Sequence, residues 1–130
     1  MSPAQSNARP FRILCVEDEA AIRSLLQILL QREGYTVETA ADGEAAWNIM
    51  SRDMAAFDLV ITDNDMPKIS GLELVERLRD AGYARHVVMF SGSITQQAGD
   101  RLARLNIAAV VVKGRAPLEL LVQVRRLAAT

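Results

Sequence analysis

Residues 57–67 read FDLVITDNDMP. The first six, FDLVIT, are rich in aromatic and β-branched residues and short enough for a buried strand. Just as that run gives out, the chain places two carboxylates, Asp63 and Asp65. An unpaired charge at the end of a buried strand is costly. Local folding gives no reason for it, so these acids point to chemistry, and the rest of the chain has to supply partners for their charge.

The same kind of segment recurs on both sides. RILCV at 12–16 is a first strand, and after it Ile22, Leu25, Leu26, Leu29 and Leu30 recur at helical spacing, which predicts a helix over 20–33 that stops at Gly34. TVETA at 36–40 is a short second strand, and GEAAWNIM at 43–50 a helix in which Trp47 is a packing residue. FDLVIT is the third strand, and GLELVERLRDAG at 71–82 is a helix ended by its own glycine. VVMFS at 87–91, a helix over 95–105, AAVVV at 108–112 and LELLVQVRRLAA at 118–129, with Pro117 at its first turn, complete the chain. A strand-then-helix order repeated five times, with continuous apolar strands, implies an α/β fold: a doubly wound parallel sheet covered on both faces. In such a sheet the functional crevice lies at the carboxyl ends of the strands, near the point where strand order reverses.

Composition bounds the roles open to the chain. Its 130 residues are half apolar, enough for one domain that buries roughly 68–70% of its unfolded surface. Fifteen Lys and Arg stand against 16 Asp and Glu, so there is no basic stripe for phosphate backbones, and direct nucleic-acid binding is not expected. The longest apolar run, 107–112, is far shorter than the ~18 residues of a membrane span. The opening MSPAQSNARP is polar and has no apolar signal core. Residues 1–10 are therefore expected to be a flexible tail ahead of a domain over 11–130. Cys15, the single cysteine, lies in an apolar run and reads as a buried small hydrophobe. These features fit a reducing cytoplasm. His86, the single histidine, has no second histidine to work with and reads as a strand-edge residue.

Read by strand ends alone, the sequence gathers a site. The first strand ends in Glu17, Asp18 and Glu19, the third in Asp63, the fourth in Ser91 and the fifth in Lys113. Carboxylates about 4 Å apart repel by roughly 4 kcal/mol per pair at an effective dielectric of 20. A cation has to sit among them, either Lys113 or a hard divalent ion such as Mg²⁺, which is held by one or two carboxylates and bridges to phosphoryl oxygens. A carboxylate beside bound Mg²⁺ can act as a nucleophile on phosphorus, with Ser91 and Lys113 donating to the equatorial oxygens. Taken singly, the acids at 17–19 also fit solvated helix-capping residues, Ser91 a turn residue and Lys113 a surface charge.

The chain resembles the receiver domain of bacterial two-component response regulators over about Arg12 to Leu127. VEDE at 16–19, DLVITDNDMP at 58–67 with SGLEL at 70–74, FSGS at 90–93 and VVVK at 110–113 carry the resemblance. It implies a flavodoxin-like sheet of order 2-1-3-4-5 with five helices. It further implies that Asp63 is the phosphoacceptor, that Asp18 binds Mg²⁺ directly and Glu17 mainly through water, and that the backbone carbonyl of Asp65 is a further ligand. Ser91 takes the place of the hydroxyl residue that moves toward the phosphoryl group, and Lys113 that of the family's lysine. Asp65 and Ser93 hold positions that in the family tune how fast phosphate is lost. Two positions depart from the pattern. Gly114 follows Lys113 where proline is usual, and Val110 stands where many receivers carry the aromatic ring that turns inward on activation.

The expected function is that of a single-domain response regulator, a phosphoacceptor and not a conventional enzyme. It would take a phosphoryl group from a sensor histidine kinase or a histidine phosphotransfer protein and signal to a downstream protein target whose identity the sequence does not disclose. Two other readings compete. One is a non-phosphorylated adaptor that uses the fold as a binding face. The other is a haloacid-dehalogenase-like phosphatase, from the spacing of Asp63 and Asp65, although that motif normally follows the first strand.

Overall fold

The structure, a computed structural model, describes residues 9–92, 96–113 and 117–129. Five strands, β1 (Arg12–Val16), β2 (Thr36–Ala40), β3 (Leu59–Thr62), β4 (His86–Ser91) and β5 (Ala109–Val112), form one parallel sheet of order β2-β1-β3-β4-β5. The helices are α1 (Ala20–Arg32), α2 (Gly43–Arg52), α3 (Gly71–Asp80), α4 (Gln96–Arg104) and α5 (Pro117–Ala128), with a 3₁₀ turn at Met54–Ala56 before β3. Each strand and each of the five α-helices falls where the apolar spacing places it, within two residues at either end, whereas the 3₁₀ turn is not expected from that spacing.

Period-2 alternation sends successive strand residues to opposite cores. Ile13, Cys15, Leu59, Ile61, Val88 and Phe90 pack with Leu26 and Leu30 of α1 and Leu120 and Val124 of α5. Leu14, Val16, Val60, Val87 and Met89 pack on the other face with Ala46 and Met50 of α2, Leu74, Val75 and Leu78 of α3 and Leu102 of α4. Trp47 is partly buried against this second core, as a packing residue.

Central and edge strands differ as a two-sided sheet requires. β3 is buried at every position, while β5, which reads in sequence as a continuous apolar run, buries only Val111 and leaves Val110 and Val112 each 42% exposed. Period-2 alternation puts Val110 and Val112 on the face opposite Val111, so at this edge of the sheet the face packed with α1 and α5 is covered and the other is left largely open.

Turn chemistry closes the helices. Asp42 caps α2 by accepting from Ala45 N–H at 2.7 Å, and Ser70 caps α3 by accepting from Glu73 N–H at 3.1 Å. Gly34 and Gly82, at φ +93° and +97°, take the left-handed conformation just past α1 and α3 that glycine adopts without strain. At the amino ends of the strands, Asp58 accepts from Arg12 N–H at 2.9 Å and pairs with both Arg9 and Arg85. Arg9 belongs to the segment expected as a tail, and residues 1–8 of that segment lie outside the described residues.

Candidate phosphoryl site

Three strands deliver the acids and the lysine by continuing the ladder one residue past their ends. Glu17 N–H donates to Ala40 O at 3.0 Å, Asp63 N–H to Val16 O at 3.1 Å, and Lys113 N–H to Ser91 O at 2.9 Å. The backbones of Glu17, Asp63 and Lys113 are thereby fixed in register with their neighbours before any side-chain contact is made. Their side chains converge across the β1/β3 switch point.

Lys113 Nζ lies 2.7 Å from Asp63 Oδ2 and 2.7 Å from Glu17 Oε1. The contact to Asp63 is a hydrogen bond, whereas the one to Glu17 is an ion pair off hydrogen-bond geometry, so Oε1 is a buried oxygen with a charge partner and no hydrogen bond. Glu17 Oε2 accepts from Glu19 N–H at 3.1 Å. Glu17 and Asp63 are 1% and 3% exposed, and Asp18 is exposed. The solvated-cap reading of the acid run thus fails for Glu17. It survives only in part for Glu19, which holds the N-cap position of α1 without a side-chain cap bond.

Burial pushes the Glu17 carboxyl above its ordinary value, and the Lys113 ammonium and the Glu19 amide offset part of that rise. For Lys113, burial pulls the ammonium down, but pairing with Asp63 and Glu17 outweighs it and carries the pKa above the usual lysine value. The lysine is therefore a fixed cation, with its charge also 6.0 Å from the centre of the Phe90 ring. One carboxylate oxygen each from Glu17, Asp18 and Asp63 lie within 4.8 Å of one another. That spacing, together with a buried carboxylate oxygen lacking a hydrogen bond, suits a hard cation that takes oxygen ligands.

Several groups that hold this arrangement carry no sequence motif of their own. Arg23, one turn into α1, donates to Glu17 O at 2.8 Å and Asp18 O at 3.4 Å, which ties the acid-bearing loop to the helix that follows it. Beyond Asp63 the loop is locked onto α3: Gly71 N–H donates to Asn64 O, and Leu72 N–H to Asn64 Oδ1, both at 3.0 Å. A Cβ at Gly71 would meet Asp63 O at 2.0 Å, so the close approach of the two segments depends on glycine. Thr62 Oγ1 donates to Asp63 O at 2.9 Å. Sequence spacing hints at Gly71, through SGLEL, but gives no signal for Arg23 or Asn64, whose roles exist only in three dimensions.

Asp65 and Ser91 lie beside this cluster. Asp65 N–H donates to Asp63 Oδ1 at 3.1 Å, and Ser91 Oγ stands 3.4 Å from Asp65 Oδ2. Ser91 is buried at the last position of β4. Ser93 and Gly114 lie outside the described residues. A separate cleft of about 710 Å³ opens at the opposite end of the sheet, beside Phe11, Asp58, Arg85, His86 and Leu127. Its two guanidiniums, from Arg9 and Arg85, are already engaged by Asp58, so its chemistry is far less pointed than that of the acids.

A parallel five-stranded sheet carrying acids and a lysine at its carboxyl edge defines a class, and the comparisons agree with it. The response regulator receiver domain family model matches residues 13–125, and the chain belongs to that family. It is 40% identical over 114 residues to the alkaline phosphatase synthesis transcriptional regulatory protein SphR of Synechococcus elongatus, covering 82% of this chain and 43% of that protein. Among solved structures, it resembles a CheY-like receiver domain protein from Methanospirillum hungatei at TM-score 0.86 and 25% identity, over 93% of this chain and 95% of that one. The Vibrio cholerae chemotaxis protein CheY4 matches at TM-score 0.81 and 29% identity, over 92% of this chain and 99% of that one. The chain spans less than half the length of the curated relative just named. Within this family, the Asp63-Asn64-Asp65 spacing belongs to a receiver loop and not to the phosphatase motif.

Proposed function

We propose that the domain accepts a phosphoryl group on Asp63 from a phosphohistidine of a sensor kinase or phosphotransfer protein, and that the modified domain signals to a protein partner in the cytoplasm. The observation that carries this reading is the convergence of the Glu17 and Asp63 carboxylates on Lys113 at the carboxyl ends of three strands. In the transfer, a carboxylate oxygen of Asp63 bonds to phosphorus as the phosphorus–nitrogen bond breaks, and the leaving imidazole keeps the electron pair. Lys113, hydrogen-bonded to Asp63 Oδ2, is placed to hold the transferred group's oxygens, and Ser91 supplies a hydroxyl.

Glu17, Asp18 and Asp63, with the backbone carbonyl of Asp65, are the residues proposed to hold Mg²⁺. When bound, the ion would spread the charge that builds on the equatorial phosphoryl oxygens. Around it, this chain's residues bury the acceptor, fix its orientation through the Asp65 amide and supply a cation that stays charged at neutral pH. Moving the active form from 1:99 to 99:1 needs about 5.5 kcal/mol of differential stabilisation. New bonds from Ser91 and Lys113 to the phosphoryl group are the proposed source. Val110, exposed on β5, offers no aromatic ring to this step, so the readout is proposed to pass through backbone and helix movement instead.

Intact mass after incubation with acetyl phosphate tests the proposal. A Mg²⁺-dependent gain of one phosphoryl group is expected in wild type and not in Asp63→Asn. No gain under any condition, together with partner binding that survives Asp63→Asn unchanged, would establish the adaptor instead.

A further inference from the structure

Asp65 engages both partners of the proposed reaction at once. Its amide donates to Asp63 Oδ1 at 3.1 Å, and its carboxylate accepts from the Ser91 hydroxyl at 3.4 Å. Lys113 has three protons and can hold Glu17 while serving Asp63, but a serine hydroxyl has only one. Donated to Asp65, that proton is not available to an oxygen on Asp63.

We propose that Asp65 is a positioning residue: its carboxylate latches the Ser91 hydroxyl in the unmodified domain and has to release it before Ser91 can donate to a phosphoryl group on Asp63. This inference rests on Asp63 being the phosphoacceptor. The latch is weak by construction. Its length exceeds the ordinary range of about 2.5–3.0 Å for a hydroxyl donor, and Asp65 is exposed, so water competes for the carboxylate. A weak latch suits a domain that has to change state, because it lowers the fraction of molecules competent to bind without locking them out.

The chemistry separates this from a simple charge effect. Removing the carboxylate takes away this hold on the Ser91 hydroxyl, so Asp65→Ala is expected to bind a phosphoryl mimic about three- to tenfold more tightly, the worth of one weak hydrogen bond. Asp65→Asn removes the charge but keeps a carbonyl oxygen as acceptor, and is expected to stay within about twofold of wild type. In a Ser91→Ala background there is nothing to latch, so the further change Asp65→Ala is expected to have no effect.

The experiment is a titration with beryllofluoride in the presence of Mg²⁺, followed through the backbone amide NMR signals of Ser91 and Gly92. It uses wild type, Asp65→Ala, Asp65→Asn, Ser91→Ala and the Asp65→Ala/Ser91→Ala pair, and the same spectra report whether each variant keeps its fold. Tighter binding by Asp65→Ala that vanishes in the Ser91→Ala background supports the latch. Equal tightening by Asp65→Ala and Asp65→Asn, or a gain that persists without Ser91, overturns it in favour of a charge effect. Wild-type binding with no gain in Asp65→Ala overturns the latch alone. A wild type that takes up neither beryllofluoride nor a phosphoryl group overturns the phosphoacceptor reading, and the latch with it.

Discussion

Lys113 carries two buried acids at once, and its removal should show how much of the domain's stability hangs on one ammonium. In Lys113→Met, Glu17 and Asp63 keep their burial and lose their cation, a situation that costs about 3–5 kcal/mol when one partner of a buried pair is deleted. The sign of the pH dependence follows. The lost stabilisation is that of a charged carboxylate, so the gap from wild type is full at neutral pH and narrows in acid as Glu17, whose carboxyl burial already holds above its ordinary value, takes up its proton. Urea unfolding of both proteins at pH 7 and pH 4 measures it, and a gap that widened in acid would contradict the pairing. Two residues before Glu17, Cys15 is wholly buried, and burial, with the Glu17 charge beside it, pushes its thiol up to about 12. The thiolate is the reacting form, so the native protein is expected to resist thiol reagents at pH 8 and to react in one step on unfolding. Fast labelling of the folded protein would be the opposing result.

The elements hold the site through places where backbones meet closely. α3 packs its first turn against the loop that bears Asp63 because Gly71 has no Cβ, and its neighbour Ser70 caps the helix so that the turn is ordered there. Gly71→Ala is expected to lose about 1–3 kcal/mol, the usual cost of overpacking, since the atom in the way is a backbone oxygen that cannot swing aside. It is also expected to slow phosphoryl uptake, because that oxygen belongs to Asp63. Chemical denaturation and the rate of mass gain with acetyl phosphate check the two effects, and a variant with wild-type values of both would show that the loop accommodates a methyl group freely. α1 works in the opposite direction, reaching back through Arg23 to the carbonyls of Glu17 and Asp18. Both helices thus flank the acids and brace the loops that bear them.

At the scale of the whole molecule, distant segments are tied by charge at the rim of two apolar cores. Arg79 of α3 donates to four carbonyls, those of Tyr83, Arg85, Leu105 and Asn106, and so joins the segment before β4 to the segment before β5. Arg101 pairs with Glu76 between α4 and α3, and Arg125 with Glu33 between α5 and the end of α1. The last two pairs are exposed and contribute little. Arg79→Met is expected to cost roughly 2–4 kcal/mol, since bonds from a charged donor are worth about 1.5–3 kcal/mol each and water replaces those at the surface. The same measurement on Arg101→Met is expected to show little or no loss, since the pair it removes is exposed to solvent. Equal losses in the two variants would remove the distinction between a clasp on four backbone carbonyls, two of them partly buried, and a surface pair.

Much of this molecule was legible in its sequence, for definable reasons. Strand and helix positions follow from apolar periodicity, which is local, and the parallel sheet follows from their alternation. Glu17, Asp18, Asp63, Ser91 and Lys113 were legible as a group because a doubly wound sheet sends every strand's carboxyl end to one edge. Arg23, Asn64, Arg79 and the contact between Asp65 and Ser91 were not. Each acts through a backbone carbonyl or a side chain whose position depends on how loops approach one another, and hydrogen bonds of that kind leave no periodic trace. The half exposure of β5 escaped for the same reason, since an apolar run says that a strand can be buried and only its neighbours in the sheet decide whether it is. The sequence by itself determined which segments are strands, which are helices and which charged residues stand at their ends, because those are properties of short stretches of chain. Only the tertiary structure decided that Lys113 bridges Glu17 and Asp63, that Gly71 seats α3 against Asp63 and that Asp65 meets Ser91, because contacts between residues apart in sequence exist only once the sheet has brought its strand ends and their loops together.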